Sequence, residues 1–350
     1  MEPPKEQSSE KPSRRKRYPG KNPRRFADKY KEHQPERFPQ DAAKIVSRGQ
    51  TLAGSHRPIM VAEILELLAV APGKTVVDCT LGYGGHAEAL LAAIQPGGRL
   101  IGVDLDAREL LRTEARLGQL CTDPKSLVLR RMNFAGVAQL IASVQPAGVD
   151  AIVADLGLSS MQLDDPARGF GYKTDGPLDM RMNQGRGLSA AELLSTLGVD
   201  QLSTILEENA DQPNSQTIAR AILKAHGRTP LTSTFMLADA IRQCCKHVAT
   251  DEANQTIRRV FQAIRIRVND EFASLENFLH QLPRCIKAGG RVAILSFHSG
   301  EDRRVKAAFK AGFHQGLYRS IAQEIVRPSA AEQGKNPRSS SAKLRYAVRA

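Results

Sequence analysis

The stretch Val76-Val-Asp-Cys-Thr-Leu-Gly-Tyr-Gly-Gly-His86 determines the fold predicted for this chain. The β-branched run from Thr75 to Val77 predicts a buried strand that ends at the acid Asp78. A glycine loop follows, and then the apolar segment from Ala87 to Ile94, which predicts a helix. Glycines let the backbone approach a ligand closely, and a helix start offers free N–H groups. A strand, a glycine loop and a helix in this order open a nucleotide-binding βαβ unit.

A second hydrophobic strand, Leu100 to Val103, ends in Asp104-Leu-Asp106. Asp104 stands where a βαβ unit places the acid that accepts ribose hydroxyls. The loop reads G-x-G-G, lacks the longer G-x-G-x-x-G fingerprint and has no anion-binding lysine after it. S-adenosylmethionine carries a ribose and an adenine but no phosphate, so it suits this loop better than a dinucleotide does. The alternative is a glycine turn in an α/β core without a ligand.

Composition and charge narrow the class of protein. The chain has 350 residues, and no run of 18 apolar residues, so we expect no membrane span. Five cysteines without C-x-x-C spacing predict reduced thiols in a cytoplasmic protein and no metal site. Of the net charge of +13, residues 1–38 carry +6 and residues 303–350 carry +9, while the middle carries −2. Basic ends favour a nucleic-acid partner, although solvated tails would have the same composition.

Further along the chain, Leu127 to Leu129 and Val149 to Ala154 predict a third and a fourth strand, and Asp155 follows the fourth. The next convincing strand begins only at Arg291, so we predict a helical insertion between strands four and five. Two later strands, near 318–326 and 343–348, would close the sheet as an antiparallel pair. The predicted domains are a basic disordered tail (1–45), a methyltransferase domain in two parts (46–162 and 266–350) and an inserted helical substrate-recognition domain (163–265).

Several blocks then suggest chemistry at the carboxyl ends of the strands, where open α/β sheets bind ligands. We expect Asp78, Asp104 and Asp155 to converge there. The aperiodic Gly- and Arg-rich segment 168–182 would wall the target side or serve as a structural crossover. The four arginines of 258–269 would contact RNA phosphates or lie on a solvated helix face.

Together these blocks resemble the RsmH (MraW) family of small-subunit ribosomal RNA cytosine-N4 methyltransferases. The resemblance runs from about His56 to Arg345. It is carried by D-C-T-L-G-Y-G-G-H from Asp78, D-L-D at 104, N-F at 133, D-L-G-L-S-S-x-Q-L-D-D from Asp155, R-G-F at 168, D-G-P-L-D-M-R-M from 175, F-Q-A-I-R-I at 261, S-F-H-S-x-E-D-R from 296, and the C-terminal N-P-R and S-A-K-L-R.

The resemblance implies a doubly wound, mostly parallel Rossmann-like class I methyltransferase sheet with an inserted helical domain. It implies S-adenosylmethionine-dependent methylation of a cytidine N4 amine in the decoding region (P site) of small-subunit (16S) ribosomal RNA. A cytoplasmic location and a homodimer are further expectations. The cofactor contacts carried over by position are Gly84, Gly85, His86, Asp104, Phe134, Asp155 and Gln162.

The catalytic candidates are Asp155, Asp179 and His298. DNA amino-methyltransferases place an Asp/Asn/Ser-Pro-Pro-Tyr/Phe segment after strand four, and Asp155-Leu-Gly-Leu occupies the same place with different letters. Gly300, Ser340 and the segment 209–213 depart from the family pattern, which affects the expected RNA contacts. Two rival hypotheses are an NAD-type oxidoreductase, which shares the βαβ start, and a non-catalytic ribosomal RNA-binding assembly factor.

Overall fold

A seven-stranded sheet forms the centre of the structure, a computed structural model that describes residues 58–121 and 123–350. The strands are β1 (Thr75–Asp78), β2 (Arg99–Asp104), β3 (Leu127–Arg131), β4 (Val149–Asp155), β5 (Ile286–Ser296), β6 (Tyr318–Ile321) and β7 (Lys343–Arg349). Their order across the sheet is β3-β2-β1-β4-β5-β7-β6. Strands β1 to β5 are parallel, and β7 runs antiparallel to both β5 and β6. The predicted mostly parallel sheet with an antiparallel closing pair is therefore confirmed.

The chain winds in opposite directions from the centre of this sheet. From β1 it runs outward through β2 to β3, and it then returns to β4 on the other side of β1. The carboxyl ends of β1 and β4 therefore border the topological switch point, where doubly wound sheets bind their ligands. The acids that end β1, β2 and β4 all lie at this edge.

Helices cover both faces of the sheet and form a separate group between β4 and β5. Their bounds are α1 (Val61–Leu68), α2 (Gly85–Ile94), α3 (Ala107–Gly118), α4 (Val137–Val144), α5 (Ser160–Asp164), α6 (Ala190–Thr196), α7 (Val199–Ala210), α8 (Ser215–Arg228), α9 (Thr234–Cys244), α10 (Thr250–Val268), α11 (Glu271–Cys285), α12 (Ser299–His314) and α13 (Ala330–Lys335). No helix in the described ranges is long and apolar enough to cross a membrane.

The central strands β1, β2 and β4 are mostly apolar because both faces of the sheet are buried there. Side chains alternate along a strand, so Val76 packs into the hydrophobic cluster on one face and Val77 into the cluster on the other. Leu100 and Ile101 of β2 divide in the same way. Burial on both faces fixes the strand register, and with it the positions of the acids that end the strands.

Helices α6 to α10 share a third hydrophobic cluster, which includes Leu206, Ile222, Leu237 and Phe261. This group occupies the interval for which the sequence predicts an inserted helical domain, and the division into domains stays a prediction. The predicted boundary at residue 265 falls inside α10, which continues to Val268.

Four helices were not predicted from the sequence: α5, α11, α12 and α13. Helix α11 packs its Leu275 and Phe278 into the cluster on one face of the sheet, so it is the crossover helix that leads into β5. The short helix α13 lies just before β7. The predictions for the tail (1–45) fall on residues outside those that the structure describes.

Candidate active site

A cavity of about 670 Å³ opens at the carboxyl ends of β1, β2 and β4. The glycine loop, the acids after β2 and β4, and residues of α10, α11 and the C-terminal segment line it. Six of the nine predicted site residues line the cavity from the strand side: Gly85, His86, Asp104, Phe134, Asp155 and Gln162. His298 lines it from the start of α12.

The glycine loop is held in place by the strand next to it. The backbone N–H of Gly82 donates to Oδ2 of Asp104 at 2.6 Å, and the Thr113 hydroxyl donates to the Gly82 carbonyl at 2.7 Å. Gly84 has a φ of 69°, the left-handed region that glycine adopts readily. A Cβ on Gly84 would lie 2.7 Å from the Thr113 methyl group, so the loop cannot accept a larger residue there without moving.

Asp104 fixes the loop and still has room for a ligand. Its Oδ2 accepts from Gly82, and its Oδ1 accepts from the backbone N–H of Asp106 at 2.7 Å. Each carboxylate oxygen has two lone pairs, so each can accept one more hydrogen bond. Burial raises the pKa of Asp104, and the backbone hydrogen bonds oppose this effect. A ligand with two adjacent hydroxyls would find two acceptors here.

Asp155 presents an unsatisfied oxygen at the switch point. Its Oδ1 is buried and has no hydrogen-bond partner among the described residues, whereas its Oδ2 lies 3.7 Å from Nδ1 of His86. Burial, and then the charge of Glu301, raise the pKa of Asp155 to about 7. Asp155 lines the cavity and 29% of its side chain is exposed, so its carboxylate group is accessible to a ligand there.

His86 positions the wall behind Asp155. Its Nε2 lies 2.9 Å from the carbonyl oxygen of Ile59, so this nitrogen donates a hydrogen bond. The ring is buried at the first turn of α2. This contact fastens the segment before α1 to the glycine loop, and Pro58 and Ile59 of that segment also line the cavity.

Asp78 lies beneath the cavity and is not one of its lining residues. The side chain is 2% exposed, and its Oδ1 accepts from the backbone N–H of Thr80 at 3.0 Å. Burial raises the pKa of Asp78 to about 6, and the neighbouring His86 opposes the rise. The expected convergence of three acids is therefore partial, since Asp104 and Asp155 reach the cavity and Asp78 supports its floor.

Phe134 and Gln162 form side walls. The Phe134 ring packs edge-on against Phe278 of α11 at 5.3 Å between centroids. Gln162 closes a capping box at the start of α5, since its Oε1 accepts from the Ser159 N–H at 3.1 Å. Its Nε2 donates to Oδ2 of Asp106 at 3.2 Å. Both ends of the Gln162 amide are thus held by protein groups.

Asp106 also binds Arg168 of the R-G-F block. Nη1 of Arg168 donates to Oδ2 of Asp106 at 2.5 Å, and both side chains are buried. Its Nη2 donates to the carbonyls of Arg181 and Met182, whereas its buried Nε has no hydrogen-bond partner among the described residues. The Arg-rich segment 168–182 is therefore fastened to the acids after β2, which favours its role as a wall of the site.

His298 and Glu301 form a pair on the far side of the cavity. Nε2 of His298 lies 3.1 Å from Oε1 of Glu301, and Nδ1 accepts from the Glu301 backbone N–H at 3.4 Å. Burial would raise the pKa of Glu301, but His298, the Phe297 N–H and Arg265 together hold it below its usual value. Glu301 is therefore an anion whose charge acts on Asp155.

The structure does not bring Asp179 or Gly84 into the lining of the cavity. Both carboxylate oxygens of Asp179 accept from the Arg181 guanidinium at 2.8 Å, and this pairing lowers the pKa of Asp179 against the opposing effect of burial. This pairing orders the loop of Asp179, and the role of Asp179 at the target side stays a prediction. Gly84 lies outside the lining and forms the tight bend that lets Gly85 line the cavity.

Helix α10 contributes three polar residues that the sequence did not single out individually. Arg258, Arg265 and Asn269 all line the cavity. Their spacings of seven and eleven residues place them on one helix face, which was the available signal. Arg265 donates twice to Glu271, at 2.8 Å each, and Asn269 donates to the Met180 carbonyl at 2.8 Å.

The three departures from the family pattern have distinct surroundings. A Cβ on Gly300 would lie 2.6 Å from the Phe272 ring, which itself lines the cavity, so a larger residue would force that ring to move. The Ser340 hydroxyl donates to the Pro337 carbonyl at 2.8 Å. In the segment 209–213, Asp211 accepts from both Arg303 amino groups at 2.9 Å and links α7 to α12.

Comparison with known proteins gives a consistent result. The sequence model described as the MraW methylase family matches residues 53–350. The chain is 46% identical over 346 residues to "Ribosomal RNA small subunit methyltransferase H 2" of Alkaliphilus metalliredigens, covering 97% of this chain and 99% of that protein. It is 43% identical to "Ribosomal RNA small subunit methyltransferase H 1" of Lachnoclostridium phytofermentans, covering 96% and 93%. The family model begins at residue 53, whereas these alignments include most of the N-terminal extension.

Solved structures show only distant likeness. A putative rRNA-methylase from Clostridium thermocellum aligns over 83% of this chain and 95% of the length of that protein. The TM-score of this alignment is 0.37 and the sequence identity is 12%.

The strand order, with its antiparallel seventh strand, and the cavity at the switch point define the class I methyltransferases, which take the methyl group from S-adenosylmethionine. Within that class, this chain belongs to the MraW methylase family. S-adenosylmethionine is its cofactor.

Proposed function

We propose that this protein transfers a methyl group from S-adenosylmethionine to the N4 amine of a cytidine in the decoding region of small-subunit ribosomal RNA. The relatives named for small-subunit ribosomal RNA methylation, at 46% and 43% identity over nearly the whole chain, support the substrate class. The single structural observation that supports the chemistry is the carboxylate of Asp155, which lines the cavity and has one oxygen without a hydrogen-bond partner among the described residues.

The residues at the strand ends fit the cofactor. Asp104 has a free lone pair on each oxygen for the two ribose hydroxyls, and Phe134 offers an aromatic edge beside them for the adenine. Gly85 has no side chain and therefore leaves space in the cavity. A Cβ at this position would lie 3.0 Å from Pro58, which also lines the cavity. His86 and Gln162 complete the walls. When bound, the cofactor supplies a sulfonium methyl group as the electrophile.

Asp155 has the properties that the target amine needs. The lone pair of a cytosine amine is delocalised into the ring, so an acceptor for its N–H groups must favour the pyramidal, nucleophilic form. The carboxylate of Asp155, which lines the cavity, is such an acceptor. As the new carbon–nitrogen bond forms and the carbon–sulfur bond breaks, the amine loses a proton, and Asp155 accepts it. A pKa of about 7 lets the carboxylate be ionised before the step and protonated after it near neutral pH.

Positioning supplies the other part of the barrier reduction. Holding the amine nitrogen against the methyl carbon can contribute roughly 7–11 kcal/mol. His298, which Glu301 holds at the start of α12, lies on the target side of the cavity, and we assign it a positioning role. The target base must leave its stack to reach the cavity, or must lie in an open single strand.

The direct test measures methyl transfer to small ribosomal subunits purified from a strain that lacks the gene. We expect the purified protein to label these subunits and the label to map to N4-methylcytidine. Asp155→Ala should reduce kcat by at least a hundredfold. Asp239→Ala removes an exposed acid of α9 and serves as the matched control, with activity close to that of the wild type. Full activity of Asp155→Ala would contradict the role assigned to this residue.

The same preparation separates the rival functions. Stabilisation by NAD, without stabilisation by S-adenosylhomocysteine, would indicate the oxidoreductase. Tight binding to the small-subunit RNA with no methyl transfer under any condition would indicate the assembly factor. The homodimer remains a prediction, which the sedimentation coefficient would test.

A further inference from the structure

Helix α10 forms the wall of the cavity opposite the strand ends, and its polar side chains are not equally engaged. Arg265 forms an ion pair with Glu271 through two hydrogen bonds, which compensates its charge. Asn269 is bound to the backbone of Met180 and of Met182. Both side chains therefore stabilise the wall of the cavity, and neither has an uncompensated charge for a ligand.

Arg258 differs from these two residues. It lies two helical turns before Arg265 on the same face, is exposed, and lines the cavity where the cavity meets solvent. Among the residues that the structure describes, no carboxylate lies within ion-pair distance of its guanidinium. Its Nε donates to the Tyr172 hydroxyl at 3.2 Å, and its two terminal amino groups have no hydrogen-bond partner among the described residues.

The contact with Tyr172 orients this guanidinium. The Tyr172 ring packs edge-on against Phe261, one turn along α10, at 5.6 Å between centroids. A long arginine side chain loses rotamer entropy when a ligand immobilises it. Fixing Nε in advance reduces this cost, and it leaves the pair of terminal amino groups directed away from the tether.

We propose that Arg258 binds the RNA phosphate next to the target cytidine, which rests on the ribosomal RNA substrate proposed above. Arginine suits this task because its planar guanidinium matches two phosphate oxygens at once. The acids Asp104 and Asp155 lie at the strand ends of the cavity, and the cation of Arg258, which has no ion-pair partner among the described residues, lies on α10. A phosphodiester avoids the acids and pairs with Arg258, so the base attached to it points towards Asp155.

The test compares Arg258→Gln with the wild type in methyl transfer to small subunits at several salt concentrations. We expect KM for the RNA substrate to rise about tenfold while kcat changes less than threefold. A lost phosphate contact should also make the slope of log KM against log salt shallower by roughly 0.7–0.9. The S-adenosylhomocysteine affinity should stay unchanged, which shows that the variant is folded.

Two further variants make the result specific. Arg259→Gln removes the same charge from the neighbouring position, which does not line the cavity, and it should leave KM within twofold of the wild type. Arg258→Lys keeps the charge but loses the fork, and it should restore the salt slope and only part of KM. The proposal is overturned if Arg258→Gln and Arg259→Gln shift KM and the slope equally, or if neither shifts them. If the wild type transfers no methyl group, the proposed function has failed, and filter binding of the same RNA still compares the variants.

Discussion

Nη1 of Arg168 lies 2.5 Å from Oδ2 of Asp106, and the two residues are 5% and 4% exposed. They stand 62 positions apart in the chain, one in the loop after α5 and the other directly after β2. The pair connects the target-side segment to the strand that carries Asp104. It therefore joins the two sides of the proposed site in the folded protein.

Asp106→Asn should destabilise the protein strongly because it leaves the buried Arg168 cation without its anion. Breaking a buried pair from one side costs about 3–5 kcal/mol. We expect a fall of this size in the free energy of unfolding, measured with urea. The matched change Asp239→Asn breaks an exposed pair with Arg242 and should cost less than about 1 kcal/mol. Equal losses for the two variants would show that the buried pair has no special weight.

Gly84→Ala should weaken both the fold and cofactor binding. The left-handed backbone costs a non-glycine residue about 1–3 kcal/mol, and the new methyl group would meet Thr113 at 2.7 Å. We expect a lower melting temperature and at least a tenfold loss of S-adenosylhomocysteine affinity by calorimetry. Gly118→Ala is the control, because a Cβ at the end of α3 has no heavy atom within 4 Å. If Gly84→Ala bound S-adenosylhomocysteine as tightly as the wild type does, the conformation of the glycine loop would have no role in cofactor binding.

The charge of Asp155 should appear in the pH dependence of cofactor binding. S-adenosylmethionine carries a sulfonium cation, S-adenosylhomocysteine does not, and the rest of the two molecules is the same. Below pH 7 Asp155 is mostly protonated in the free protein, and above it the carboxylate attracts the cation. The ratio of the two affinities should therefore move in favour of S-adenosylmethionine between pH 6 and 8, by roughly threefold to tenfold. Asp155→Asn should abolish this trend, and a wild-type ratio independent of pH would contradict it.

Asp78 should make the ligand-free protein less stable as pH rises. Its pKa is about 6 in the folded protein against the ordinary value of 3.8, so the folded state holds this proton more tightly than the unfolded state. The stabilisation is fully present below about pH 4 and is lost as pH rises through 6, by at most about 3 kcal/mol. Urea unfolding at pH 5 and 8 should therefore show a larger decline for the wild type than for Asp78→Asn. An identical decline in both proteins would show that a group other than Asp78 binds this proton.

The sequence predicted the sheet and the strand-end acids well, for a physical reason. Each parallel strand is buried on both faces and reads as a short apolar run, and its carboxyl end must meet the same edge as its neighbours. Asp104 and Asp155 therefore reach one cavity without any knowledge of side-chain packing. Asp78 follows the same rule but lies one layer deeper, because the loop after β1 folds over it.

Long-range pairing was not predictable in the same way. Asp179 is a candidate catalytic acid by sequence, but the guanidinium of Arg181, two residues later, donates a hydrogen bond to each of its carboxylate oxygens. The pairing of Asp106 with Arg168 depends on how the loop after α5 returns to β2. The sequence did not predict α11 as a separate helix because its apolar residues directly follow those of α10. Only their packing distinguishes the two helices, since α11 packs against the sheet and α10 packs in the other cluster.

The most direct test of the central claim is a crystal structure of the protein with S-adenosylhomocysteine. The account predicts that the ligand lies in the cavity at the carboxyl ends of β1, β2 and β4, with its ribose hydroxyls about 3 Å from the Asp104 carboxylate and its sulfur on the side of Asp155. A ligand bound at any other place, or a cavity closed by the protein's own side chains in the complex, would contradict it.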